Sequence, residues 1–178
     1  MSHYKPYPAY KDSGVEWIGE VPEHWGLLRL ANIGPLMKAN GGNKEDDAET
    51  GVPCIRYGDL YTTYDDVIRN ITKFISPEAE AKYTAIQYGD ALFAASGETF
   101  EEIGMSAVTL SEAKAVCGGD VIVLRPHKTI DPVFLAYAAA IPRRRRRAAP
   151  RPPKPTSIRA QVAGSGTAAS KTRNSLRP

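Results

Sequence analysis

Residues 91–125 read ALFAASGETFEEIGMSAVTLSEAKAVCGGDVIVLR, and three short apolar runs within that stretch decide the fold. Ala91 to Ala95 (ALFAA), Ser106 to Leu110 (SAVTL) and Asp120 to Arg125 (DVIVLR) are each bounded by Gly or polar residues. Runs of this length between such boundaries predict buried strands. Working outward, Pro53 to Leu60 (PCIRYGDL) alternates, with Ile55 and Tyr57 on one face and Arg56 on the other, which predicts a half-buried strand. Leu27 to Ile33 (LLRLANI) reads as a further strand, followed by a polar loop from Lys38 to Gly51. Ser76-Pro77-Glu78 predicts a helix start, with Ser as N-cap, Pro in the first position and an acid in the first turn, running on to Tyr83. Asp131-Pro132 opens a second helix, VFLAYAAAI, by the same logic, and its pattern is lost by Pro142. The body is therefore mixed α/β, without an internal repeat.

The chain has 178 residues, of which 42% are hydrophobic and 24% charged. That is one domain of ordinary globular composition. It contains no run of eighteen apolar residues, as a membrane-spanning helix would need. The opening MSHYKPYPAYKDSG has no apolar segment of the kind a secretory signal carries, so a cytoplasmic location is the expectation. Cys54 and Cys117 are too few and too far apart for a disulfide scaffold or a zinc ribbon.

The net charge of +3 conceals two unlike parts. Eleven of the 23 Lys and Arg fall between Arg143 and Pro178, where there is no acid, so residues 1–142 carry a formal charge of −8. The large aliphatics of that tail are Ile158, Val162 and Leu176. It cannot bury enough apolar surface to offset about 1–2 kcal/mol of backbone entropy per residue and is expected to be disordered. Arg143 to Arg147 would attract any polyanion. The switch at Pro142 to Arg, Pro, Ala and Gly, the residues of GC-rich codons, also has the look of out-of-frame translation.

No catalytic centre emerges from the motifs. Asp131-Pro132-Val133-Phe134 resembles the adenine-gripping Asp-Pro-Pro-Tyr of amino-methyltransferases but lacks the second Pro and opens a helix. Asn40-Gly41-Gly42-Asn43 lacks the spacing of a methyl-donor loop. Asp66 with Glu80 and Lys82 imitates a nuclease set, but the Ser-Pro cap puts the latter two on a helix. Ala94 replaces the first Gly of a nucleophile elbow around Ser96. His3, His24 and His127 have no ligand spacing, and Glu98, Glu101 and Glu102 read as a solvated acidic loop. What remains is a reading surface. Lys38, Asn40, Asn43 and Lys44 offer adenine-matching amides and phosphate-matching cations in one loop. Arg56 stands on the neighbouring predicted strand, and Tyr61, Thr62, Thr63 and Tyr64 supply hydroxyls at its end. Ser96, Gly97 and Thr99 form a second polar loop.

Four ordered blocks extend the reading. The first is YKDSGVEWIGEVPEHW, Tyr10 to Trp25, in which Trp17, Ile18, Val21 and Trp25 are apolar anchors and Gly19 and Pro22 bend the chain. The others are Gly51 to Thr62, then Gly89 to Thr99 with Glu101 to Gly104, then Gly118 to Pro126. In sequence and order these resemble the DNA-specificity subunit of type I restriction-modification systems. The resemblance implies an α+β, mainly β target-recognition domain with short helices over residues 27–141, an N-terminal arm over 1–26 packing on it, and a disordered basic tail over 142–178. It implies a non-catalytic DNA-binding role, reading one half of a split site in double-stranded DNA. It also implies methyltransferase and endonuclease partner subunits, which would carry S-adenosylmethionine, ATP and Mg²⁺, and no metal or cofactor on this chain. The family pattern has two recognition domains separated by heptad helices. Here the helix from Asp131 shows no heptads and meets Ile141-Pro142 and five arginines, so a truncated, frameshifted product is expected. The alternatives are a polyanion binder acting through the tail and a product without function.

Overall fold

Strand pairing in the computed structural model, which describes residues 6–127 and 129–148, is organised by the apolar runs of the middle of the chain. β1 (Tyr10–Asp12) and β2 (Glu20–Pro22) form an antiparallel hairpin. β3 (Leu36–Lys38), β4 (Asp47–Ala48) and β5 (Val52–Ile55) come next, followed by the one-turn helix α1 (Asp59–Thr62). β6 (Val67–Ile68), β7 (Phe74–Ile75) and β8 (Thr84–Ile86) are short, and a 3-10 helix, Pro77–Lys82, separates the last two. β9 (Ala91–Ala94), β10 (Ser106–Thr109), β11 (Ala115–Cys117) and β12 (Val121–Leu124) lead to α2 (Pro132–Ala148). The strands assemble into two five-stranded sheets, β3-β12-β9-β10-β6 and β4-β7-β5-β11-β8. Each is antiparallel except for one parallel pair, β10 with β6 and β11 with β5.

Alternation along the strands sorts the core into layers. Leu92, Ala94, Ala107, Val121 and Val123 of the first sheet meet Ile55, Ile86, Ala115 and Cys117 of the second. The opposite face of the first sheet, through Ala91, Val108 and Leu124, packs on Leu135 and Ala136 of α2 and on Ile33. The outer face of the second, through Cys54, Ile75 and Val116, is covered by Ala79 and Tyr83 from the 3-10 helix and its end. Strands buried on both faces favour apolar residues at consecutive positions, which is why ALFAA, SAVTL and DVIVLR are nearly continuous apolar runs, with Ser106 and Thr109 of β10 buried among them. Both thiols lie in these layers, and burial pushes Cys54 up to about 11 and Cys117 up to about 12.

Several expectations are corrected. Leu27 to Ile33 is not a strand: Leu30–Asn32 is a 3-10 turn, and Leu27, Leu28 and Leu30 are all exposed. The edge of the first sheet is taken three residues later by β3, after Gly34 passes so close to Arg125 that a Cβ there would lie 2.0 Å from its carbonyl oxygen. The strand at Pro53 stops at Ile55, because the Asp59 carboxylate accepts the Arg56 N–H at 2.9 Å and turns the chain into α1. Tyr61 and Thr62 consequently lie on a helix rather than at a strand end. The loop from Lys38 to Gly51 contains a 3-10 turn, Lys44–Asp46, and β4. Pro77 starts its helix as expected, but the helix is 3-10 and the Ser76 hydroxyl makes no cap. Asp131 does cap α2, its Oδ1 accepting the Phe134 N–H at 2.7 Å.

The second helix also runs farther than its pattern suggested, to Ala148, so a boundary at 142 falls inside it. An internal proline removes one backbone hydrogen bond and strains a helix without obliging it to end. The tail expected to be disordered lies, from residue 149 onward, outside the described residues. Among the described residues no helix is long and apolar enough to cross a membrane.

One ion pair fastens the end of the first sheet nearest α2. Asp90 is fully buried and accepts from Arg125 Nε at 3.0 Å and Nη2 at 2.8 Å, and from the Gln87 N–H at 3.0 Å. Arg125 also donates to the Ala85 carbonyl at 3.1 Å, which ties β12 to β8 across the sheets. Removing the guanidinium strands a buried carboxylate, so Arg125→Met should destabilise the protein by about 3 kcal/mol. The double change Arg125→Met with Asp90→Asn should recover part of that loss, both measured by urea unfolding.

Candidate nucleic-acid interface

The strand registers bring the sequence-predicted polar segments to one end of both sheets. β3 ends at Lys38 opposite Ile122, β9 ends at Ala94 opposite Val121, and β10 begins at Ser106 opposite Phe93. In the second sheet β5 and β11 run parallel and end side by side at Ile55 and Cys117. Gly118 to Asp120 then carries the chain directly from β11 to β12. Segments 39–43, 56–63, 95–104 and 118–120 therefore all leave the sheets at the same end. They touch one another there. A Cβ on Gly41 would lie 2.4 Å from the Gly118 Cα and 2.5 Å from the Gly119 nitrogen, so only glycine permits that approach. Asp120 turns the chain with φ of 59°, and its carbonyl accepts the Ala95 N–H at 2.8 Å.

The candidates separate into two groups on this surface. The first is built around Arg56, whose guanidinium pairs with Asp47 and donates to the carbonyls of Asn43 at 3.0 Å and Gly42 at 3.5 Å. It also donates to the Tyr83 hydroxyl at 3.3 Å and lies 5.9 Å from that ring's centroid. Asp46 completes the group: its Oδ2 accepts the Asn43 N–H at 3.0 Å and the Tyr83 hydroxyl at 3.1 Å, and its Oδ1 pairs with Lys82 at 3.0 Å. The Lys82 contact is the chief cause lowering the Asp46 carboxyl, while burial, then the bond to Asp46, raises the Tyr83 phenol. Arg56 is thus the fastener of the 42–47 loop. Asn40, Asn43 and Lys44 are exposed on that loop, with the Asn40 N–H held by Thr84 Oγ1 at 2.8 Å, and Lys38 is exposed at the end of β3.

The second group centres on α1. Thr62 and Thr63 are exposed, their hydroxyls 3.3 Å apart, with Thr62 Oγ1 donating to the Gly58 carbonyl at 2.9 Å. Tyr61 and Tyr64 are half-buried against the central core. Burial first, then the charge of Glu102, raises the Tyr61 phenol. α1 packs against β9 and β10, whose connection is the 95–104 loop bearing Ser96, Gly97 and Thr99. That loop differs from the expected solvated acidic stretch. The Glu102 carboxylate turns inward and accepts the N–H groups of Glu98 at 2.7 Å and Thr99 at 3.0 Å. Sequence reasoning missed Phe100, which stands 74% exposed on this loop. A lone aromatic among acids and hydroxyls was the available signal. Among the described residues no three His, Cys, Asp or Glu side chains gather as a metal site.

Comparison with known proteins finds no matching family model. The MjaX type I restriction enzyme specificity subunit of Methanocaldococcus jannaschii is 29% identical over 123 residues, which cover 67% of this chain and 28% of that protein. The chain thus spans well under a third of the length of this relative. The crystal structure of the HsdS subunit from Thermoanaerobacter tengcongensis superposes with a TM-score of 0.51 at 14% identity, over 76% of this chain and 31% of that one. A chain from a study of type I R-M complex assembly gives 0.48 at 16% identity, over 67% and 28%.

The Arg56 group generates a prediction. Arg56→Met releases four acceptors on partly exposed ground, so the cost should be about 1–2 kcal/mol. Amide exchange at Asn43 and Asp46 should accelerate while that at Val121 and Val123 stays unchanged, measured by hydrogen exchange.

Proposed function

We propose that this chain, a relative of type I restriction specificity subunits by sequence and alike to one in fold, is a target-recognition domain for double-stranded DNA. It would read one half of a bipartite site and present it to partner methyltransferase and endonuclease subunits, without performing chemistry itself. S-adenosylmethionine, ATP and Mg²⁺ would belong to those partners. The observation that carries the reading is the convergence of four loops from two sheets on one surface, where amides, hydroxyls and cations stand exposed on a glycine-tight base. Amides and hydroxyls suit base edges, and Lys suits phosphate or guanine. The −8 charge of residues 1–142 opposes indiscriminate attraction to phosphates, so affinity would depend on matched contacts and on neutralising partners.

A second reading is favoured by one feature, the eleven Lys and Arg without an acid between Arg143 and Pro178. In that reading the chain binds polyanions through its tail. Selection of duplexes from a random pool by the full chain, alone and with methyltransferase subunits, separates the two. The recognition reading expects an enriched sequence whose rank order survives deletion of residues 143–178, although affinity falls for every duplex. Loss of all binding on that deletion, or no enrichment in either format, would sink it.

A further inference from the structure

Phe100 is 74% exposed and Ile103 is 43% exposed on the loop joining β9 to β10. Their setting is firm. The Glu102 carboxylate holds the Glu98 and Thr99 N–H groups, the Glu102 N–H donates back to the Thr99 carbonyl at 3.2 Å, and the Met105 N–H donates to the Glu102 carbonyl at 3.1 Å. At the foot of the loop the Gly104 and Ala94 N–H groups donate to the Ala94 and Met105 carbonyls, each at 2.8 Å. A preorganised turn that presents an aromatic ring loses little freedom when the ring docks.

The chemistry around the ring narrows what it can meet. Residues 91–113 contain no Lys or Arg, and Glu98 and Glu101 are exposed beside Phe100. An apolar, acid-flanked tip is unsuited to phosphates, and also to a narrow minor groove, whose negative potential attracts cations. The major groove fits it. There carboxylates accept from the exocyclic amines of cytosine, and an apolar side chain packs on the thymine methyl. Resting on the DNA-reading assignment above, we propose that Phe100 determines specificity by packing on the C5-methyl of one thymine in the major groove, while Glu98 and Glu101 hold the tip away from phosphate.

Uracil tests this, because it differs from thymine only by that methyl. The full chain first selects its preferred duplex, and each thymine is then exchanged for uracil in turn. At one position the exchange should weaken the wild-type chain about fourfold, the equivalent of one buried methylene. Phe100→Ala should bind the thymine duplex with reduced affinity and be indifferent to that exchange, and Phe100→Leu should keep part of the discrimination. A wild-type chain indifferent to every exchange overturns the assignment, as does a Phe100→Ala chain with the wild-type uracil profile. Either outcome leaves the DNA-reading function standing. Absence of any enriched duplex overturns both together.

Discussion

Burial of the first sheet on both faces is the constraint from which the rest of the structure follows. β9, β10 and β12 are pressed between α2 and the second sheet, so their consecutive side chains are apolar except for the buried hydroxyls of Ser106 and Thr109. A sheet so placed presents no exposed polar side chains along these strands, and polar chemistry is displaced to the strand ends. One end is closed by Asp90 and Arg125, near the helix. The other is left to the loops.

The same constraint explains what was legible in the sequence. ALFAA, SAVTL and DVIVLR were readable because double burial leaves no charged residue within the strands, and β9, β10 and β12 lie within those runs. β4, β6 and β7 are two residues long, too short to display any period, and β11 has only three. Leu27, Leu28 and Leu30 misled because an apolar run carries no information about whether a sheet edge lies beside it. Arg56 was a fair candidate by chemistry, yet its partners come from residues 42–47 and 83, contacts that a linear reading does not display.

The polar surface was legible as residue types but not as an arrangement. Nothing in the spacing of Lys38, Tyr61 and Ser96 reveals that they lie at one end of the sheets. That follows from β5 pairing parallel with β11 and β9 pairing antiparallel with β12, a matter of register. The family resemblance drawn from four blocks anticipated a mainly β fold with short helices, and the likeness to a solved specificity subunit agrees with it in fold. The inward turn of Glu102 shows the limit of composition, since three acids in five positions proved to be one structural brace and two exposed side chains.

The paired hydrogen bonds between Ala94 and the 104–105 segment have a consequence for how such a domain changes over generations. They seal the 95–104 loop at its root, so the residues beyond them bear little of the folding load. The entropic penalty for lengthening a closed loop rises only with the logarithm of its length. Insertions at the tip of this segment are therefore cheap, whereas a change at Gly97 or Glu102 disturbs its brace, and one at Ala94 or Gly41 disturbs the floor beneath the loops. The domain behaves as a fixed socket with a replaceable insert. New surface chemistry can arise by swapping the insert, with no need to redesign the fold that holds it.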